Sequence, residues 1–153
     1  MDWYITVKND IRELDNCVAY YLNEYELAKK EITTNGKLID SALTLASYVE
    51  TRYSQLQDIE AVLEYLNIQY NKVKSDKFKK LSETYNKALS SRDVEKYIEG
   101  EDDVMNLAII INDIARVRNK FLSIMKGFDT KNFMISHITK LSCAGIENIS
   151  FNQ

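Results

Sequence analysis

From Leu38 to Val73 the seam residues fall at alternating spacings of four and three without a slip: Leu38, Ala42, Leu45, Val49, Arg52, Leu56, Ile59, Leu63, Leu66, Tyr70 and Val73. Held over about five heptads, this repeat draws one stripe along a helix and calls for a second helix against it, as in coiled-coil packing. A strand would need a period of two instead. The fold class that follows is all-α. Composition agrees, because the chain holds no proline and only four glycines, the two residues most costly inside helices. Arg52 is the one charged member of the seam. A lone charge there is expensive, so it either pairs with acids to fix register or lines a pore or interface in an oligomer. Arg118, in a later seam, poses the same choice.

Before this seam, Ile11, Leu14, Val18, Tyr21 or Leu22, Tyr25 and Ala28 predict an amphipathic helix from about Asp10 to Ile32. Thr33-Thr34-Asn35-Gly36 ends it with a turn signal, which makes an antiparallel hairpin the default. After Val73 the register jumps to Phe78, Leu81, Tyr85 and Ala88, predicting a stutter or short break within Lys74–Lys77. Ser90 followed by Asp93 is a capping-box variant that opens a short helix toward Gly100. Glu101-Asp102-Asp103 then starts a long helix whose seam is Val104, Leu107, Ile111, Ile114, Arg118, Phe121, Met125 and Phe128. Gly127 and Asp129-Thr130 are expected to end it. A last short helix from about Lys131 to Ala144, stopping at Gly145, carries Phe133, Ile135, Ile138 and Leu141, and Ile146–Gln153 forms a tail.

The expected whole is one helical domain over residues 1–153: a first helix and turn at 1–36, a long helix at 37–90 and assembly helices at 91–153. It is an elongated bundle with a long heptad-patterned antiparallel hairpin and a short C-terminal helix. A helix from Leu38 to Val73 extends about 50 Å. That is too long to bury its whole apolar face against the rest of a compact 153-residue chain, so a second copy of the chain is expected on it.

Catalytic chemistry has few places to reside. His137 is the only histidine, with Ser136 and Cys143 its only tempting neighbours. No phosphate-binding glycine loop, nucleophile elbow or zinc-protease helix occurs. Glu101-Asp102-Asp103 lacks the spacing and glycine of a calcium loop and reads as a helix start, so neither metal nor cofactor is expected. Cys17 and Cys143 lie far apart with no paired spacing, which suits a reducing compartment. With no apolar run of membrane length and no basic, apolar start after Met1-Asp2-Trp3-Tyr4, a cytoplasmic protein is expected.

The net charge of −3 conceals a basic stretch. Between Tyr70 and Arg92, Lys72, Lys74, Lys77, Lys79, Lys80, Lys87 and Arg92 face only Asp76 and Glu83, with Tyr70, Phe78 and Tyr85 interleaved. Lysines bind phosphates by releasing counterions, and aromatics stack on bases. On this reading Lys72, Lys74, Lys77, Lys79 and Lys80 capture single-stranded nucleic acid while Phe78 or Tyr85 stacks. The competing reading is a solvated helix face whose aromatics point into the bundle. From the residues alone both stand.

Two segments carry a family resemblance. Ala88-Leu-Ser-Ser-Arg-Asp-Val-Glu-Lys-Tyr-Ile-Glu-Gly-Glu-Asp-Asp-Val104, followed by a long apolar helix, resembles the middle of UvsY-like recombination mediator proteins of T-even-like bacteriophages. Lys131-Asn-Phe-Met-Ile-Ser-His-Ile-Thr-Lys-Leu-Ser-Cys-Ala-Gly145 is similar to that family's C-terminal helix. The resemblance covers the second half of the chain. It implies a small helical protein that forms rings, binds single-stranded DNA and helps load a recombinase onto DNA held by single-strand-binding protein, in the host-cell cytoplasm. It further implies that the lysine run meets DNA and that Val104, Leu107, Ile111, Ile114, Arg118 and Phe121 serve assembly. The family's Lys-Ala-Arg-Leu type motif has only a loose counterpart in Lys77-Phe-Lys-Lys80. The alternative expectation is a helical interaction or scaffold module, a phage-encoded regulator or virion component, without affinity for nucleic acid.

Overall fold

The computed structural model describes residues 2–33, 38–84 and 90–145, and every element among them is helical. In chain order these are α1 (Trp3–Asn9), a 3-10 turn (Ile11–Glu13), α2 (Leu14–Ile32), α3 (Leu38–Thr84), α4 (Ser91–Glu99) and α5 (Asp102–Cys143). Residues 34–36 of the expected turn, together with Tyr85, Ala88 and the tail Ile146–Gln153, lie outside the described residues.

The long pairing is α3 with α5, running antiparallel. Leu45 near the start of α3 meets Phe128 and Ile135 late in α5, while Lys77 near the end of α3 meets Glu101 and Asp103 at the start of α5. Helix α2 packs chiefly on α5 and runs parallel to it: Tyr21 stacks edge-on against Phe121, and Ile32 reaches Gly127. The main core forms where α1, α2, α3 and α5 meet, around Val7, Cys17, Tyr21, Leu66, Val62 and Phe121. Side chains of the Val, Leu and Phe kind contribute about 1.5–3 kcal/mol each when fully buried.

The heptad seam of α3 is largely its buried face. Leu45, Arg52, Leu56, Ile59 and Leu66 are buried, Val62 joins them, and Ala42 is exposed. The cover comes from within the chain. With 42 residues, α5 extends about 63 Å beside α3. The seam therefore does not need a second copy to bury it, because α5 runs beside it as one continuous helix.

Three boundaries differ from expectation. First, α1 was not foreseen. The Asp2 carboxylate accepts from Ile5 N at 3.1 Å, and Trp3 and Val7, four apart, turn one face into the core. Second, α3 is helical straight through Lys74–Lys77. The register shifts there because the partner changes: Tyr70, Val73, Phe78 and Leu81 pack against Val94, Ile98 and Val104 of α4 and the start of α5. Third, α5 continues through Gly127 and Asp129-Thr130 to Cys143. Gly127 is small because Ile32 lies against it; a Cβ there would fall 2.6 Å from Ile32 Cδ1. The stop signal that does operate is Gly145, whose φ of 77° is the left-handed conformation glycine accepts readily.

Helix α4 forms as its sequence predicts. Ser90 Oγ accepts from Asp93 N at 3.3 Å and donates to the Asp93 carboxylate at 2.6 Å. Val94 and Ile98, one turn apart, are its buried pair.

Candidate nucleic-acid interface at the basic end of α3

The lysines of the run do not share one face. A helix turns about 100° per residue, so Lys72 and Lys79, seven apart, lie together, while Lys74 and Lys77, three apart, lie on another side. Lys72, Lys79 and Lys80 are exposed. Lys74 and Lys77 are half-buried beneath the elbow that joins α4 to α5. Lys77 Nζ donates to Glu101 at 2.6 Å and approaches Asp103 at 3.0 Å. Lys74 Nζ lies 3.4 Å from Glu99 and over the Tyr70 ring, 5.5 Å from its centroid. Hydrogen bonding to Glu101, then to Asp103, raises Lys77 above the ordinary lysine pKa and so holds its charge.

Phe78 packs against the Val94, Ile98 and Val104 cluster. Its ring is half-buried against that cluster, the arrangement in which the aromatics of the run point into the bundle. Among the described residues at this end, Tyr97 is the aromatic that faces solvent, 63% exposed. It sits on α4 beside Lys96, with Arg92 one turn earlier, all exposed because Val94 and Ile98 take the inward side. Sequence reasoning missed Tyr97. The signal was present in the four-residue spacing of Val94 and Ile98, which turns Tyr97 outward.

The residues expected to serve assembly are mostly interior. Val104, Leu107, Ile114 and Phe121 are buried in this chain's own clusters, and Ile111 is packed against them. Their apolar spacing serves this chain's own core, and of the set only Ile111 and Arg118 keep part of their surface open. Arg118, half-buried, donates to Asn119 Oδ1 at 3.0 Å.

Arg52 has a different setting. Its side chain is 5% exposed, and the guanidinium bonds Glu31 through Nε at 2.8 Å and is paired with Glu24 as well. Gln55 accepts from Arg52 at 2.8 Å and donates to Glu24 at 2.9 Å. Of the two sequence readings, the acid-paired one holds for Arg52. Nearby, buried Lys131 donates to the Glu31 and Thr33 carbonyls at 2.7 and 3.3 Å, satisfying the open C-terminal end of α2.

The remaining reactive groups are occupied elsewhere. His137 lies against the Phe133 ring, centroids 4.2 Å apart, and Ser136 Oγ donates to the Asn132 carbonyl. Burial pushes the Cys17 thiol up to about 12, and Cys143 is exposed. Among the described residues no group of three or more His, Cys, Asp or Glu is placed to hold a metal ion, and no helix is long and apolar enough to cross a membrane. Compared with known proteins, the chain matches no family model, no curated protein and no solved structure.

Proposed function

We propose that this chain is a single-stranded-DNA-binding, self-assembling recombination mediator that helps load a recombinase, acting by binding rather than turnover. The observation that carries the reading is the group of exposed lysines on the last turns of α3, Lys72, Lys79 and Lys80, with Arg92, Lys96 and Tyr97 exposed among the acids of α4. The resemblance of residues 88–104 and 131–145 to the mediator family supports it. Lysines capture the phosphate backbone, and Tyr97 takes the stacking role first assigned to Phe78 or Tyr85. Several such weak sites on one assembly act together through effective concentration.

The test is fluorescence anisotropy of labelled oligo-dT at two salt concentrations. Binding that weakens steeply with salt supports the proposal. Replacing Lys72, Lys79 and Lys80 with alanine is expected to weaken binding and flatten its salt dependence. Tyr97→Ala is expected to cost about 1–3 kcal/mol, the worth of one stacked base.

A second reading, a helical protein-interaction or scaffold module without nucleic-acid affinity, draws on two observations. Lys74 and Lys77 are already paired internally, and at the far end of the bundle Ile39, Leu43, Phe133 and Met134 are exposed. No oligo-dT binding at low salt would favour it.

A further inference from the structure

Of the five lysines between Lys72 and Lys80, Lys74 and Lys77 are each engaged with acids from farther along the chain. Lys74 and Lys77 are held by three carboxylates drawn from two elements. Glu99 is the last residue of α4, Glu101 the N-cap of α5 and Asp103 lies in its first turn. The turn at Gly100 aims them together: Gly100 N donates to the Lys96 and Tyr97 carbonyls, and Glu101 N to that of Ile98. Hydrophobic contacts of Val94, Ile98 and Val104 with α3 fix the elbow above the lysines.

We propose that Glu99, Glu101 and Asp103 act as an internal substitute for nucleic-acid phosphate, occupying Lys74 and Lys77 in the free protein and holding DNA affinity down until they release them. This rests on the DNA-binding reading above and adds the regulation of that site. The chemistry of the exchange is symmetrical, since a carboxylate and a phosphate oxygen offer an ammonium group the same charge-assisted hydrogen bond. The side chains of Glu99, Glu101 and Asp103 are 61%, 48% and 70% exposed, so these pairs are reached by water and exchangeable. A carboxylate that loses its lysine stays beside the strand and repels it, so release needs the acids neutralised or taken up by another cation.

The probe is labelled oligo-dT with the full chain. Neutralising the elbow with Glu99→Gln, Glu101→Gln and Asp103→Asn is expected to tighten binding at least tenfold. The log–log salt slope should steepen by about 1.4, two lysines at about 0.7 each for a single strand. A control with the same charge change away from the elbow, Asp40→Asn, Glu50→Gln and Glu64→Gln, should tighten it much less. Lys77→Ala should change little in the parent and cost several-fold in the neutralised elbow. Equal tightening by elbow and control variants, or an equal cost of Lys77→Ala in both backgrounds, overturns the proposal. Because α5 begins at these acids, circular dichroism checks helicity, and the milder Glu101→Gln alone should shift affinity in the same direction. If no variant binds oligo-dT at low salt, the DNA-binding reading itself fails, and this regulation with it.

Discussion

Two cations of α3, Arg52 and Lys77, are each held between two carboxylates, yet their surroundings set them apart. The Arg52 side chain is 5% exposed and those of its acids 18%, whereas that of Lys77 is 22% exposed and those of its acids 48% and 70%. Arg52 ties α3 to α2 at a point where water cannot take over its bonds. Lys77 ties α3 to an elbow that solvent reaches. One arrangement of charges thus serves as a lock in the first place and as an exchangeable contact in the second, and burial decides which.

The sharpest way to break this contrast is Arg52→Met. It leaves Glu24 and Glu31 facing each other with their cation gone, and unfolding free energy in urea should fall by about 3–5 kcal/mol. Adding Glu24→Gln and Glu31→Gln to that variant should recover much of the loss, because no uncompensated charge then remains. The effect of Arg52→Met should also persist in about 1 M salt, where charges are screened beyond about 3 Å. If salt erases it, the distinction between the two sites fails.

Next in size is the acid limb of stability. Burial alone would raise the Glu24 carboxyl, but hydrogen bonds from Gln55 and Arg52 outweigh it and leave the pKa below the ordinary value of 4.5. A carboxylate with a depressed folded pKa contributes stability that is fully present above the unfolded value and is lost as pH falls through the folded one. The parent should therefore lose stability as pH drops below about 4.5. Glu24→Gln, less stable at neutral pH, should lose less over the same interval. Parallel urea midpoints for the two proteins would remove Glu24 from this role. The smallest effect is expected for Lys77→Ala, whose thermal midpoint should match the parent closely. A large drop would mean that the elbow pair, too, is structural.

Period and caps carried most of the fold. The α3 seam, the Ser90 cap and the apolar face of α5 were all legible because each is a local pattern that the tertiary structure obeys. What was illegible depended on distant neighbours. Nothing near Gly127 in sequence announces Ile32, so a glycine that admits a neighbouring helix looked like a helix end. Likewise the jump from Val73 to Phe78 records a change of partner along a continuous helix, which looked like a break. The candidate site was half legible. Its charge was visible in the lysine run, but the division into exposed Lys72 and Lys79 and paired Lys74 and Lys77 depends on acids more than twenty residues downstream. The aromatics divide in the same way, with Phe78 half-buried against α4 and Tyr97 facing out.

The parallel packing of α2 on α5 also bears on how the chain is made. Lys131 closes the end of α2 through a hydrogen bond to Glu31, 100 positions earlier in the chain. Ribosomes add about 5–20 residues per second, so α2 waits on the order of 5–20 s after its own synthesis for the surface that completes it. Through that interval the inward face of α2 has only α1 and α3, and that of α3 only α1, α2 and α4. A nascent chain halted before α5 should accordingly be captured by chaperones or aggregate, whereas one released after its last long helix should not.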